Sequence, residues 1–466
     1  MSYEGPAANL LEEAGVDVGD RVKVSKGSRE YVGILMPRSG SDKRALVIKL
    51  DGGYNVGIDL DDDCSIEKLS DLPEGEDSGF SETGGLDREK GDGPKVAVLL
   101  AGGTIASRVD YRTGAVKASI DEDELVSFVP EIAKIADIEG REVLRTLSEK
   151  IVPEDWQKIA VEVEKEIENG KDGIVIAHGT DTMGYTAAAL SFMLEDLPVP
   201  VVLVGSQRSS DRGSSDARQN LVCAVRAATS DIAEVVVCMH GESSDTFCYL
   251  HPGTRARKMH TSRRDAFRTV NERPFAKVDW ENLEIQRIRE DYRKKDRDRK
   301  VELKNGFEED VELVKVYPGI DADVFSEHLE RSEGVVIEGT GLGHMPLEED
   351  IKTALEEYTD GGNIAFMASQ CIHGRVNMNV YETGVDLQDV GVIGNYSDML
   401  PETAYVKLGW LLGNYDKDEA RELMLEDMRG EISRRTEHED LKSEISNLKT
   451  SSFQEFEGEK EWSRRK

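Results

Sequence analysis

Two short stretches place hydroxyl groups where strands end. In Lys95-Val-Ala-Val-Leu-Leu-Ala-Gly-Gly-Thr-Ile-Ala-Ser107 a continuous apolar run is broken by Gly102 and Gly103, and Thr104 follows at once. In Asp172-Gly-Ile-Val-Ile-Ala-His-Gly-Thr-Asp-Thr182 the design repeats: Gly179 breaks the run, and Thr180 and Asp181 follow. A threonine hydroxyl becomes a useful nucleophile only when a neighbouring group takes its proton, and a second hydroxyl beside a carboxylate can supply that relay. The glycines let the backbone turn sharply and leave room for a small molecule. Alone, each stretch is also readable as an ordinary glycine turn after a strand. Together they point to nucleophilic attack on a small substrate.

The surrounding elements must hold these turns in place. Unbroken apolar runs of this kind are strands buried on both faces of a parallel sheet, and ligands of such sheets sit at the carboxyl ends of the strands. Pro153-Glu-Asp-Trp-Gln opens a helix with proline and acids in its first turn. Trp156, Ile159, Ala160, Val163 and Ile167 then share one face at helical spacing. A strand over 173–177, a helix over 183–194, a strand over 200–205, a helix over 217–228 and a strand over 234–239 follow. This alternation predicts a parallel sheet covered on both faces. Strands over 311–317, 334–338 and 363–368, with helices near 321–332 and 346–359, repeat the pattern in a second domain beginning near residue 309. Glu338-Gly-Thr-Gly-Leu-Gly-His344 opens like a dinucleotide-binding loop, but His344 stands at the third glycine position, which excludes that reading.

Residues 1–75 read as a separate SH3-like or Sm-like β-barrel, with strands over 18–24, 31–37, 44–50 and 54–58 and a hairpin turn at Asp51-Gly-Gly53. Residues 76–93, rich in glycine and charge, form a flexible linker. Domains over 94–308 and 309–425 follow, then a charged tail over 426–466, with residues 419–445 expected as one long exposed helix and the last residues disordered.

The net charge of −34 over 466 residues is spread along the whole chain. It disfavours a surface that attracts nucleic acid throughout and fits a halophilic cytoplasm, where salt screens the self-repulsion. No apolar stretch approaches the roughly 20 residues that span a bilayer, and no signal peptide is visible at Met1-Ser-Tyr-Glu-Gly-Pro6. The five cysteines are scattered without paired spacing, which fits free thiols in a reducing compartment and gives no zinc-ligand pattern. Metal: none is expected.

With three further segments, the two threonine stretches resemble the asparaginase/glutaminase amidohydrolase family. These are Arg108-Val-Asp-Tyr-Arg-Thr-Gly114, Leu147-Ser-Glu-Lys-Ile-Val-Pro-Glu-Asp-Trp156 and Arg255-Ala-Arg-Lys-Met-His-Thr-Ser262. One departure is Ala101, where the family usually has threonine. The resemblance implies a two-domain parallel-sheet α/β fold with Thr104, Thr180, Asp181 and Lys258 as catalytic residues. It places Ser148 on the substrate's α-carboxylate and Tyr111 in a loop over the nucleophile. Gly103 and Gly179 are implied as backbone contacts to substrate. Either threonine could attack, and Thr104 is taken as the nucleophile. Without the resemblance, Ser148 is equally a helix cap, Tyr111 a loop aromatic and Lys258 part of a solvated basic face.

The N-terminal barrel, Val204-Gly-Ser-Gln-Arg-Ser-Ser-Asp-Arg212, Lys258-Met-His-Thr-Ser-Arg-Arg-Asp-Ala-Phe267 and Gly374-Arg-Val-Asn-Met-Asn-Val-Tyr381 resemble one branch of that family in particular. Its members are glutaminase subunits of archaeal tRNA-dependent amidotransferases. The branch implies hydrolysis of glutamine, with ammonia passed to a partner subunit of kinase/transamidase type that converts Glu-tRNA(Gln) to Gln-tRNA(Gln). It implies no cofactor in this chain, with ATP and Mg at the partner, and a homodimer within a heterotetramer in the cytoplasm. A free-standing L-asparaginase is the first alternative. A non-enzymatic RNA-binding adaptor is the second, resting on the basic stretch Arg287–Lys300, whose interleaved acids instead read as a salt-bridged surface.

Overall fold

The computed structural model describes residues 3, 5–27, 29–35, 45–50, 55–60, 64–70, 93–102, 107–110, 115–118, 129, 131–208 and 215–435. The expected hairpin turn at 51–53, nearly all of the expected linker over 76–93 and the tail from 436 onward lie outside these residues.

Near the N-terminus, helix α1 (Pro6–Ala14) begins with proline, whose fixed φ suits the first turn, and ends at Gly15 with φ +62°. Strands β1 (Arg21–Lys26), β2 (Arg29–Leu35), β3 (Ala45–Leu50), β4 (Asn55–Asp59) and β5 (Cys64–Ser70) pair antiparallel in the order β4-β3-β2-β1-β5. Val22, Val24, Leu35, Leu46, Ile48 and Ile58 alternate inward and form their own core with Ala7 and Leu11 of α1. Four of these strands follow the alternation in the sequence. The fifth, Cys-Ser-Ile-Glu-Lys-Leu-Ser, carries charge at its centre and, like α1, adds to what the sequence pattern predicts.

The main sheet is built from β6 (Lys95–Ala101), β9 (Asp137–Glu142), β10 (Gly173–His178), β12 (Val201–Val204), β13 (Val235–His240), β14 (Phe247–Pro252), β17 (Ala276–Asp279) and β18 (Ile285–Arg287). Their order is β18-β17-β14-β13-β12-β10-β6-β9. Shorter strands interleave with them in sequence: the hairpin β7 (Ser107–Asp110) with β8 (Ala115–Ala118), β11 (Leu194–Glu195) with β19 (Glu302–Leu303), and β15 (Ala256–Lys258) with β16 (Phe267–Thr269). From β9 to β13 all neighbours run parallel, whereas β14, β17 and β18 are antiparallel. The sheet is therefore mixed. The antiparallel extension goes beyond the expected parallel sheet because no helix lies between its strands to mark a crossover, and β17 and β18 are short.

Helices α2 (Ile132–Ile135), α3 (Pro153–Glu168), α4 (Met183–Met193) and α5 (Ala217–Ala228) accompany the strands. On α3 the buried face is Trp156, Ile159, Ala160, Val163 and Glu166. Each large apolar side chain there contributes about 1.5–3 kcal/mol by leaving water. Glu166 is held by Arg141 at 2.8 Å, which explains how a carboxylate shares that face. Helix α4 is buried nearly all round, as the helix between two inner parallel strands must be. Trp410 stacks on its Phe192, with centroids 5.5 Å apart, and donates Nε1 to the Lys304 carbonyl at 2.9 Å.

Contacts divide the chain into two compact units, the first comprising 1–268, 274–309 and 409–415 and the second 269–273, 310–408 and 416–466. In the second, β20 (Val311–Lys315), β21 (Gly334–Gly339) and β22 (Ile364–Ser369) form a parallel sheet. It is covered by α6 (Ala322–Glu330), α7 (Glu349–Asp360) and α8 (Glu382–Asp389) around Phe325, Leu329, Ile351 and Leu355. After α9 (Pro401–Asn414), helix α10 (Lys417–Leu423) is short. This corrects the expectation of one helix over 419–445. The chain leaves helical geometry after Leu423 because Glu431 turns back to meet Lys407 at 2.6 Å, both side chains fully buried.

Candidate active site

In the main sheet β6 is laid down first, β9 is added on one side and β10 on the other. The crevice at the carboxyl ends of β6 and β10 is therefore the topological switch point, where open α/β sheets bind ligands. The register aligns Ala101 with His178, so Gly102 and Gly179 leave the sheet side by side. Gly102 has φ +85°, and a Cβ there would lie 2.0 Å from the Thr146 carbonyl oxygen, so no other residue fits. Gly103, Thr104 and Tyr111 lie outside the described residues.

The other five expected site residues come together. Ser148 lies against the second turn: a Cβ on Gly179 would be 2.6 Å from the Ser148 Cβ and 2.7 Å from its Oγ. Thr182 Oγ1 donates to the Ser148 carbonyl at 2.8 Å, tying the two segments together. Ser148 does not cap α3, whose N-cap is Val152, with Asp155 Oδ2 accepting the Val152 N–H at 3.3 Å. Lys258 enters from β15 and donates from Nζ to Thr180 Oγ1 at 2.9 Å and to Asp181 Oδ1 at 2.7 Å. Its side chain is only 16% exposed, whereas that of Asp181 is 66% exposed and open to a bound molecule. A Cβ on Gly184 would be 2.8 Å from the Ala256 carbonyl, so this glycine lets α4 approach the strand that carries the lysine.

Lys258 is thus not part of a solvated basic face. Its neighbours pair with other carboxylates: Arg263 and Arg268 with Asp265 at 2.7 and 2.8 Å, and Arg264 with Asp245 at 2.5 Å. The Asp245 carboxyl is held below its usual range, first by the hydrogen bond from His240 and then by the Arg264 charge, which together outweigh partial burial. The basic stretch from Arg287 is also paired locally, Arg287 with Asp231 at 2.6 Å and Arg289 with Asp291 at 2.6 Å. The stretch is salt-bridged as expected, but its own interleaved acids make only part of the pairing, since Asp231 lies outside it.

Several residues without an expected role support the turns. Gly205 backs Thr180: a Cβ there would meet Thr180 Cγ2 at 2.7 Å and the His178 carbonyl at 2.8 Å. The Gly205 carbonyl accepts from Asn220 Nδ2 at 2.9 Å, and Asn220 also donates to Asp216 Oδ2 at 3.0 Å. Asp216 in turn accepts the backbone N–H groups of Gln207 and Arg208, each at 3.0 Å, while burial pushes its carboxyl up. His178 is fully buried between Gly179 and Thr186. Its signal in the sequence is a polar side chain closing an otherwise apolar strand.

Comparison with known proteins gives first the class and then the branch. The family described as Asparaginase, N-terminal matches residues 95–290, and the Glutaminase/Asparaginase C-terminal domain matches residues 310–424. The GatD N-terminal domain matches residues 16–69. Among solved structures, the L-asparaginase from Thermococcus kodakarensis superposes with a TM-score of 0.66 at 30% identity, over 73% of this chain and 100% of that one. L-asparaginase I from Vibrio cholerae gives 0.61 at 29%, over 73% and 99%. The D-type subunit of glutamyl-tRNA(Gln) amidotransferase from Thermococcus kodakarensis is 51% identical, over 91% of this chain and 96% of the relative. The protein of the same name from Pyrococcus abyssi is 49% identical, over 91% and 97%. The chain belongs to this amidotransferase branch of the asparaginase/glutaminase family.

Proposed function

We propose that this chain is the glutamine-hydrolysing subunit of a tRNA-dependent amidotransferase, releasing ammonia for conversion of Glu-tRNA(Gln) to Gln-tRNA(Gln). One observation carries the chemistry: Lys258 Nζ lies within hydrogen-bond reach of both Thr180 Oγ1 and Asp181 Oδ1 at the switch point of the sheet. Thr104 Oγ attacks the side-chain amide carbon and gives its proton to the relay. The C–N bond breaks, and the nitrogen takes a proton and leaves as ammonia. Water then adds to the acyl-enzyme, and glutamate departs as the Thr104 hydroxyl re-forms. Lys258, hydrogen-bonded to Thr180 Oγ1 and paired with Asp181 Oδ1, completes the relay that receives the Thr104 proton. The exposed Asp181 also suits the substrate's α-ammonium, while Ser148 faces its α-carboxylate and Tyr111 assists proton transfer. Backbone N–H groups of the two glycine-threonine turns face the developing oxyanion.

The small N-terminal β module sets this chain apart from a free-standing L-asparaginase, the second reading, which the 30% identity to an L-asparaginase structure keeps in view. The partner is a subunit of kinase/transamidase type, and ATP and Mg act there. A homodimer within a heterotetramer, in a salt-rich cytoplasm, completes the proposal. The test is ammonia release from glutamine, by the chain alone and with the partner and Glu-tRNA(Gln) together. The rate should rise at least about tenfold in the complex, or about 1.4 kcal/mol of barrier. Full-speed turnover by the isolated chain with asparagine preferred would establish the asparaginase instead.

A further inference from the structure

His178 closes β10 immediately before the Gly179-Thr180-Asp181 turn and is fully buried. Its Nδ1 is 2.6 Å from the Gly179 carbonyl oxygen, and its Nε2 is 2.9 Å from Thr186 Oγ1 on α4. A carbonyl oxygen only accepts, so Nδ1 carries the proton, and Nε2 must accept from the Thr186 hydroxyl. The alternative acceptor for that hydroxyl, the Thr182 carbonyl, is 3.5 Å away and competes poorly. Burial lowers the imidazole pKa to about 4, so the ring stays neutral in this tautomer through the working range.

In a trans peptide C=O and N–H point in opposite directions. With its carbonyl drawn to His178, the Gly179–Thr180 peptide turns its N–H away from the ring. Resting on the amidohydrolase reading above, we infer that His178 is a positioning residue: by holding the Gly179 carbonyl it sets the plane that aims the Thr180 N–H and hydroxyl at substrate and relay. Thr186 fixes the tautomer that makes this possible. His178 itself touches neither substrate nor the reacting atoms.

The experiment uses the full chain, with its partner where the complex is needed for turnover, and measures kcat and KM for glutamine hydrolysis. His178→Leu removes the donor and should lower kcat about five- to tenfold with KM within twofold, the worth of one buried hydrogen bond. His178→Asn places an amide N–H at the position of Nδ1 and should recover most of the loss. Thr186→Val, nearly isosteric, should lower kcat in the wild type but add nothing to His178→Leu, because the two act as a unit. Thr186→Ser should be close to wild type. Should His178→Leu fail to fold, the Thr186 pair still decides. Unchanged kcat in His178→Leu and Thr186→Val, or equal loss in the Leu and Asn variants, overturns the inference. Lys258→Met is run in parallel: retained hydrolysis there would remove Lys258 from the relay, whereas no hydrolysis by the wild-type complex would sink the amidohydrolase reading itself, whatever His178 does.

Discussion

Replacing Lys407 by methionine tests how the second unit holds its last described segment. Lys407 Nζ meets Glu431 Oε1 at 2.6 Å and donates to the Glu426 carbonyl, and neither charged side chain is exposed. Burial pushes the Lys407 ammonium below its usual range, while Glu431 draws it up. Burial pushes the Glu431 carboxyl up, but the Lys407 charge and hydrogen bond, together with the Met428 and Arg429 N–H groups, outweigh it and keep the net below the usual range. Removing one member of such a pair typically costs about 3–5 kcal/mol, because the other charge stays buried. Glu431 keeps two backbone donors, Met428 N–H at 3.1 Å and Arg429 N–H at 2.6 Å, so Lys407→Met should fall at the low end, about 3 kcal/mol. That raises the opening equilibrium of residues 424–433 about 150-fold, read as lost amide-exchange protection and faster tryptic cleavage after Arg429. The double variant Lys407→Met/Glu431→Leu removes both charges and should return to within about 1.5 kcal/mol of wild type. Unchanged protection in the single variant, or no recovery in the double, would refute the reasoning.

His178 and His251 are buried neutral, with pKa values lowered by burial to about 4 and about 3 from an ordinary 6.5. Their folded forms take up a proton later than the unfolded chain does, so stability is whole above about pH 6.5 and falls toward pH 4, by about 1.4 kcal/mol per pH unit per histidine. Asp216, raised by burial, works the other way. Melting temperatures in molar salt that stay level from pH 6.5 to 4.5 would contradict this. Gly179→Ala should drive its new Cβ into Ser148, raising KM and costing about 1–3 kcal/mol of stability; unchanged kinetics would remove Ser148 from the substrate side of the turn. With a net charge of −34, the melting temperature should climb from dilute buffer into molar salt, and a flat or falling titration would end the halophilic interpretation.

What is legible in the sequence is what short-range periodicity encodes. The apolar runs at 96–101 and 173–177 and the one-sided pattern of Trp156, Ile159, Ala160 and Val163 mark elements whose burial is uniform along their length. The strands β14, β17 and β18 are not legible as members of one sheet, because no helix separates them to signal a crossover and each owes its place to its neighbour. Composition promises a long helix after Asp416, yet one buried pair, Lys407 with Glu431, overrides helix propensity beyond Leu423. At the site, Thr180, Asp181 and Lys258 are visible as chemistry. Asp216 and Asn220 are not, because a residue that holds a backbone carbonyl or N–H leaves no pattern until the chain is folded, and His178 shows only as a polar end to an apolar strand, without what it holds.

The lysine is not delivered by an end of the main sheet's strands. It arrives on the excursion β15–β16, which leaves the chain between β14 and β17, and it meets Thr180 across a separation of 78 residues. Contacts of that range are the ones whose loop-closure entropy a folding chain must meet before they return any energy. The pairing of β6 with β10 sets Ala101 opposite His178, a separation of 77 residues, so it spans as much chain as the contact that brings in the lysine. The crevice and the lysine that enters it are therefore closed at the same entropic cost, and chain length alone gives neither a head start.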